Sequence, residues 1–205
     1  LYRELEHPVI GEYKFQNAPF KLSATPAFNT KPAPLIGQHN QVIFEGMLGL
    51  SHDEFVSGYE DNTFWPTTLD RYPYMDEMIK SEPLPFTGSG AVFKSEKPAA
   101  SANEGPLSGL RVLELADEKG QYCGKLMSDL GAEVIKIEPS RGEHARTVGP
   151  FMDDLPHRDR SLSFWHYNTS KRGITLNLET EDGRGLFRRL ADTADVILET
   201  FNAGY

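Results

Sequence analysis

Four loops that each follow an apolar run carry the side chains in this chain that could recognise a charged or flat ligand. These loops are Ala116–Gly120, Glu138–Arg146, the position of Glu179, and Thr200–Gly204. They hold carboxylates, basic groups and one aromatic ring. The first loop lacks the Gly-x-Gly-x-x-Gly pattern of dinucleotide-binding dehydrogenases. The single cysteine, Cys123, excludes an internal disulfide and a cysteine-cluster metal site. The residue types therefore predict a binding site and no metal centre.

The apolar runs before these loops read as strands that alternate with helices. We expect strands at Leu110–Leu115, Val134–Ile137, Gly173–Leu178 and Asp195–Glu199, and helices at 121–130 and 180–191. In the first helix, Tyr122, Leu126 and Leu130 have the spacing of one buried face, and Cys123 is expected to be a small buried hydrophobe. Thr180 is the expected N-cap of the second helix. The order of elements predicts an α/β fold, a Rossmann-like parallel sheet with βαβ crossovers, whose ligands lie at the carboxyl ends of the strands.

Composition narrows the class of protein. The chain has 205 residues, 39% of them hydrophobic and 25% charged, as in globular proteins. Its net charge of −9 argues against nucleic-acid binding. It contains no apolar run near the length that a membrane span needs, and no basic-then-apolar leader. The single cysteine is consistent with a reducing cytoplasm, which is the expected location.

The first half is organised differently from the second. Residues 1–86 read as an extended arm without a core of its own, and residues 87–106, which are small and polar, as a flexible linker to residues 107–205. Within the arm we expect two extended segments around Gln16-Asn17 and short helices at Gln41–Leu48 and Ser51–Tyr59. Ser51 and Glu54 would form a capping box.

The second half resembles the opening of the family III CoA-transferases. The resemblance rests on five stretches in the same order, namely Pro106–Leu115, Tyr122–Pro139, Gly142–Arg146, Asn168–Leu178 and Ala194–Gly204. Residues 1–60 resemble the other end of the same family, through His7–Tyr13, Ala18–Pro26, Ala33–His39 and Leu48–Ser51. The resemblance implies the junction of a tandem fusion, incomplete at both ends, in which the C-terminal arm of one unit precedes the N-terminal part of the next.

The resemblance also implies an activity. Members move coenzyme A from an acyl-CoA to a carboxylic acid through an aspartyl-CoA intermediate, a form of covalent catalysis. The aspartate is expected downstream of this chain, so no catalytic residue is assigned here. Coenzyme A and acyl-CoA are substrates, with no prosthetic group. The expected partner is a second unit, as an interlocked homodimer or an intrachain pseudo-dimer, with neither nucleic acid nor membrane.

Site residues follow from the same resemblance. Leu176 and Leu178 match a stretch that holds the adenine, and Phe201 matches a phenylalanine that packs on it and offers an aromatic face. The candidate coenzyme A-binding residues are Lys119, Arg146, Leu176, Leu178, Thr200, Phe201 and Asn202. Lys119 would supply a point charge, and Arg146 a guanidinium fork, for phosphate oxygens. Pro139 and Glu179 replace basic residues of the family, so those contacts are expected to be lost.

Two other functions remain open. The same scaffold serves acyl-CoA racemases and transferase–lyase fusions, whose acid and base residues would lie downstream. The unit could also be a non-catalytic partner that binds coenzyme A, a reading favoured by Pro139, Glu179 and the shortened loop at Asp117–Gly120.

Overall fold

Six strands and four α-helices are present in residues 2–64 and 105–205, the part of the chain that the computed structural model describes. The strands are β1 (Tyr2–His7), β2 (Gly11–Gln16), β3 (Arg111–Leu115), β4 (Glu133–Glu138), β5 (Arg172–Thr175) and β6 (Val196–Glu199). The helices are α1 (His52–Glu60), α2 (Gln121–Asp129), α3 (Leu162–Tyr167) and α4 (Glu181–Ala191), with a π-helical turn at Val42–Met47. Residues 87–104 of the expected linker lie outside the described residues.

The second half folds as the predicted parallel sheet. Its strands lie in the order β5-β4-β3-β6, and every neighbouring pair is parallel. Helix α2 connects β3 to β4, and α4 connects β5 to β6, so both expected crossovers are confirmed. Strand β5 ends earlier than predicted, at Thr175, because the backbone N–H of Asn177 donates to the carbonyl of Thr63 in the first half, at 2.7 Å. The carboxyl ends of four strands therefore meet at one edge.

The helix caps are those that the sequence indicates. The Thr180 side chain accepts a hydrogen bond from the backbone of Gly183 at 3.1 Å. Ser51 and Glu54 form the reciprocal capping box of α1. Both caps satisfy backbone donors that the first helical turn leaves without partners. None of the helices in the described residues is long and apolar enough to cross a membrane.

The prediction that α2 buries an apolar face is wrong. Tyr122 is 42% exposed, Leu126 is only half-buried, and Cys123 is exposed rather than buried. The buried side is instead polar or small, and consists of Gln121, Gly124, Lys125, Ser128 and Asp129. These residues face polar groups from other segments, such as Asn29 and Thr169, which both lie within hydrogen-bond distance of Lys125 Nζ. Apolar spacing carries no information about such a face.

Residues from the first half complete the core over one face of the sheet. Phe44 is fully buried and stacks on Phe64, with ring centroids 4.3 Å apart. They share one apolar cluster with the sheet and α4, made of Ile43, Phe44, Phe55, Phe64, Leu113, Leu115, Ile135, Ile137, Ile174, Leu176, Leu186 and Leu190. The opposite face carries a smaller cluster around Val112 and Val134. The described part of the first half thus shares its core with the α/β sheet.

The start of the chain differs from the expected layout. Strands β1 and β2 form an antiparallel hairpin that turns at residues 8–10, not at Gln16-Asn17. His7 Nδ1 accepts the backbone N–H of Val9 at 3.1 Å inside the turn. Gly11, with φ of +70°, supplies the left-handed backbone that closes it. Local turn chemistry, rather than the Gln-Asn pair, therefore sets the hairpin.

Two side chains of the first half cover the free edge of β5. The backbone N–H of Gly173 donates to His39 Nδ1 at 3.1 Å, and the backbone N–H of Thr175 donates to Asn40 Oδ1 at 2.9 Å. The backbone of His39 also donates to the carbonyl of Gly173 at 2.9 Å. His39 therefore takes the place of a neighbouring strand and satisfies backbone groups at the edge of β5 that would otherwise lack a partner.

Candidate functional site

A cavity of about 300 Å³ lies at the carboxyl edge of the sheet, where the sequence predicts the ligand site. It sits beyond the ends of all four strands, between the loops that follow them. Its lining consists of Leu115, Asp117, Ile137, Glu138, Pro139, Glu143, His144, Leu176, Asn177, Leu178, Glu179, Thr200, Phe201 and Tyr205. This is the usual position of ligands in open parallel α/β sheets.

Apolar and aromatic groups form one part of the wall. Leu176 is 1% exposed and belongs to the core cluster, with Leu178 packed against it. Phe201 remains 41% exposed, and its ring lies 4.4 Å from that of Tyr205 at a 30° angle. The Tyr205 hydroxyl donates to Glu179 Oε1 at 2.9 Å and so joins the end of β6 to the loop after β5. This part of the wall suits a flat ring.

A second hydrogen-bonded pair holds the loops after β3 and β6 together. The backbone N–H of Asp117 donates to Thr200 Oγ1 at 3.0 Å, and that hydroxyl donates to Asp117 Oδ1 at 2.8 Å. Lys119 Nζ lies 2.9 Å from Asp117 Oδ2, and the lysine side chain is 63% exposed. Lys119 is therefore at the rim next to a lining residue, while Thr200 is in the wall itself.

The polar part of the lining is acidic. It holds four carboxylates, Asp117, Glu138, Glu143 and Glu179, and among the residues described here no lysine or arginine lines the cavity. Burial raises the pKa of Glu143 to about 7, although the nearby Lys136 opposes the shift. Burial would also raise the pKa of Glu138, but the adjacent Arg146 holds it below its usual range. The wall therefore disfavours an anion and favours a group that donates hydrogen bonds.

The structure places Arg146, which we expected at a phosphate, outside the cavity wall. Its side chain is completely buried, and its guanidinium binds both oxygens of Glu138 at 2.6 and 2.8 Å and Asp159 Oδ1 at 2.7 Å. It also lies 3.7 Å from the ring centre of Phe164 and is absent from the cavity lining. Because two buried carboxylates need this charge, the guanidinium supports the fold and is not presented to a phosphate group.

Lys171, which lies in the matching stretch Asn168–Leu178, is also fully buried. Its Nζ lies 2.7 Å from Glu114 Oε2 and donates to Asn168 Oδ1 and the Gln121 carbonyl, both at 2.8 Å. Burial lowers its pKa to about 8, with Glu114 opposing the shift. Its partners come from three different segments, so its spacing in the sequence gave no sign of them.

Of the seven candidate residues, Leu176, Leu178, Thr200 and Phe201 come together in the cavity wall. Asn202 is exposed and outside the lining; its carbonyl accepts the backbone N–H of Tyr205 at 3.1 Å. Tyr205 and Glu143 are among the wall residues that were not candidates. Tyr205 follows Phe201 by four positions, and Glu143 lies inside the Gly142–Arg146 motif.

Comparison with known proteins shows that residues 107–205 are similar to CoA-transferases. These residues match the family model of CoA-transferase family III. The chain is 40% identical over 98 residues to the succinyl-CoA:(R)-benzylsuccinate CoA-transferase subunit BbsE of Thauera aromatica, covering 48% of this chain and 24% of that protein. It is 43% identical over 100 residues to the succinate–glutarate CoA-transferase of Agrobacterium fabrum, covering 47% and 25%.

Among solved structures, a CAIB/BAIF family protein from Brucella suis is 46% identical, with a TM-score of 0.44, over 49% of this chain and 27% of that one. The chain spans about a quarter of the length of the curated relatives above. The α/β half is therefore similar to the family III CoA-transferases, and the activities named above are those of the relatives.

Proposed function

We propose that this protein is a family III CoA-transferase, which moves coenzyme A from an acyl-CoA to a carboxylic acid. One observation carries the proposal. The segments that match the family model, 107–205, build a cavity at the carboxyl edge of a parallel sheet, with Leu176, Leu178 and Phe201 in its wall. A sheet edge of this kind is where nucleotide-containing ligands bind.

The cavity suits the adenine end of coenzyme A rather than the whole molecule. Its volume, about 300 Å³, is at the lower end for ligand sites. A base would stack on Phe201 and contact Leu178, because these leave apolar area open, with the buried Leu176 behind them. The phosphate groups would remain outside the acidic wall, near the exposed Lys119, which is paired with Asp117 at 2.9 Å.

The chemical steps are proposed for the whole protein. An aspartate carboxylate would attack the acyl-CoA carbonyl and expel the CoA thiolate, which gives an aspartyl anhydride. The thiolate would then attack the aspartyl carbonyl and release the first acid, which leaves an aspartyl-CoA thioester. The acceptor carboxylate would attack this thioester and expel the thiolate again. The thiolate would finally attack the acceptor's carbonyl in the new anhydride, which gives the product acyl-CoA and frees the aspartate carboxylate. We assign the nucleophile to none of the carboxylates of this chain. Its own residues would bind and orient coenzyme A, which is a substrate and not a prosthetic group.

The quaternary arrangement is part of the proposal. We take the sheet as the start of a Rossmann-like domain, residues 1–86 as the C-terminal arm of a preceding unit, and the pair as an interlocked homodimer or intrachain pseudo-dimer in the cytoplasm. The supporting observation is that Phe44 and Phe64 of the first half are buried in the core of the sheet. The C-terminal parts of such units pack back on a sheet in the family that the chain resembles.

A second candidate is a non-catalytic unit that binds coenzyme A and completes a partner's fold. The acidic lining favours it, because Glu179 and Pro139 stand where the family has basic residues that would attract phosphate. An acyl-CoA racemase or a transferase–lyase fusion on the same scaffold is a further variant, distinguished by acid and base residues outside this chain.

Calorimetric titration with coenzyme A tests the proposal. We expect weak binding by the 205-residue chain, with a dissociation constant near the millimolar level, about 4 kcal/mol. Phe201→Ala should remove much of it, because the stacking face is lost. Cys123→Ser is the matched control, since Cys123 is exposed on α2 and outside the lining.

Acyl transfer should be absent from this chain alone. Measurable transfer would contradict the assignment of the nucleophile to another part of the protein. Binding that is unchanged in Phe201→Ala would contradict the assignment of the cavity.

A further inference from the structure

Glu143 is a largely buried carboxyl group in the cavity wall. Its side chain is 9% exposed. Its Oε1 atom is closed to solvent and lies 2.9 Å from Lys136 Nζ, the cation nearest to it. The Glu143 backbone N–H donates to Glu138 Oε2 at 3.1 Å, which fixes the residue over the end of β4. A carboxylate in such a place is costly unless a cation, a proton or a hydrogen-bond donor compensates its charge.

The charges around Glu143 do not balance. Four carboxylates, Glu114, Glu138, Glu143 and Asp159, share three cations, Lys136, Lys171 and Arg146. Arg146 forms ion pairs with Glu138 and Asp159, and Lys171 forms one with Glu114. Lys136 donates to Glu114 Oε1 at 3.0 Å and to the Ala116 carbonyl at 2.8 Å, which leaves Glu143 with only a share of its charge.

Protonation of one carboxylate is the simplest way to remove this excess of negative charge. Burial raises the pKa of Glu143 to about 7; Lys136 opposes the rise, and Glu138 and Glu114 add to it. Both forms are therefore present near neutral pH. The other acids in the wall already have partners, Asp117 with Thr200 and Lys119, and Glu179 with Tyr205. His144, also in the lining, is 72% exposed at the side chain.

We propose that Glu143 determines the specificity of the cavity for a base that carries an amino group, by accepting its hydrogen bond and releasing a proton when the base binds. This rests on the proposed function, in which the base is the adenine of coenzyme A. An ionised carboxylate can only accept hydrogen bonds, so an amino donor stabilises that form, whereas a ring carbonyl in the same position does not. Binding and deprotonation are therefore linked, in the same way as folding and protonation.

The test compares adenosine with inosine, which has a carbonyl oxygen in place of the amino group, by calorimetry from pH 6 to pH 8. For a carboxyl group that titrates near 7 and binds ligand only when ionised, affinity should rise about tenfold over this range. Adenosine lacks phosphate, so phosphate ionisation does not contribute. Titrations in two buffers of different ionisation enthalpy should show close to one proton released at pH 6. Inosine should bind more weakly and without this pH dependence.

Glu143→Gln keeps the shape but cannot ionise. We expect its affinity for adenosine to be lower at pH 8 and nearly independent of pH. Glu143→Asp, which restores an ionisable group, should recover a pH dependence. A wild-type slope in Glu143→Gln, or equal binding of inosine with an equal slope, would overturn the proposal. If the variants fail to fold, proton release by the wild type and the comparison with inosine decide alone.

The same titrations separate this inference from the proposed function. Adenosine binding with the expected slope, together with no binding of coenzyme A, would uphold Glu143 and refute the coenzyme A site. Coenzyme A binding that is insensitive both to pH and to Glu143→Gln would do the reverse. No binding of either ligand at millimolar concentration would refute both.

Discussion

Two helical glycines should respond in opposite directions to alanine. A Cβ atom on Gly124, in α2, would lie 1.6 Å from Glu114 Oε2 and 3.2 Å from Lys171 Nζ. A Cβ atom on Gly185, in α4, would meet nothing within 4 Å. Alanine is favoured over glycine inside a helix by about 1 kcal/mol, so both variants gain this amount. Only at Gly124 must a buried charge move.

The size of that effect follows from how Glu114 is held. Its side chain is fully buried, 2.7 Å from Lys171 Nζ and 3.0 Å from Lys136 Nζ, so its carboxylate has no room to turn aside without losing a partner. Loss of a buried ion pair costs about 3–5 kcal/mol. After the helix gain, we expect Gly124→Ala to lower the free energy of unfolding by about 2–4 kcal/mol. Gly185→Ala should raise it by about 0.5–1 kcal/mol.

Urea denaturation followed by circular dichroism measures both variants against the wild type, with the free energies taken from linear extrapolation. Failure of Gly124→Ala to fold agrees in direction with the expected loss. Stabilisation of both variants by a similar amount would refute the reasoning, because it would mean that the Glu114 carboxylate does not lie against α2.

Two further predictions concern the shared core and its edge. Phe44→Ala should cost about 3–5 kcal/mol, because Phe44 is fully buried against Phe64, whereas Val42→Ala, at a site 40% exposed, should cost less than about 0.5 kcal/mol. Hydrogen exchange should show both halves of the core losing protection together in Phe44→Ala, and two separate transitions would contradict this. Burial lowers the pKa of His39 to about 4 in the folded protein, below its value near 6.5 in the unfolded chain. The neutral imidazole therefore contributes its full share to the free energy of unfolding above pH 6.5, and this share is lost as the pH falls from about 6.5 towards 4. The urea midpoint should therefore fall on acidification, less steeply in His39→Asn than in the wild type or in the control His144→Asn, and an equal slope in all three proteins would count against it.

The sheet was predictable from sequence because its signals are local. Each strand of the second half is a short apolar run, and Thr180 and Ser51 cap helices through side chains a few positions away. The parallel order follows from strands that alternate with helices. The buried face of α2 was not predictable, since Lys125 meets Asn29, 96 positions away, and Thr169, 44 positions away. Partners this distant leave no periodic trace.

The candidate site was likewise predictable where it depends on the fold class and not predictable where it depends on distant partners. Leu176 and Phe201 reach the cavity because strand ends in a parallel sheet meet at one edge, a property of the fold class. The role of Arg146 could not be assigned from the sequence, because a basic side chain in a matching motif serves equally well as a phosphate ligand or as the counter-ion of buried acids. Only the positions of Glu138 and Asp159, which bind it at 2.6 and 2.7 Å, decide between these roles.

The first half of the chain supports the cavity as well as the core. The carbonyl of Pro34 accepts a hydrogen bond from Arg146 Nη2 at 3.0 Å, and the same guanidinium holds both oxygens of Glu138. Glu138 Oε2 in turn accepts the backbone N–H of Glu143 at 3.1 Å. A contact between Pro34 and a buried cation is thus two steps from the carboxyl group that we assign to ligand recognition. A change in the first half that removed the Pro34 acceptor would therefore act on Glu143 through Arg146 and Glu138.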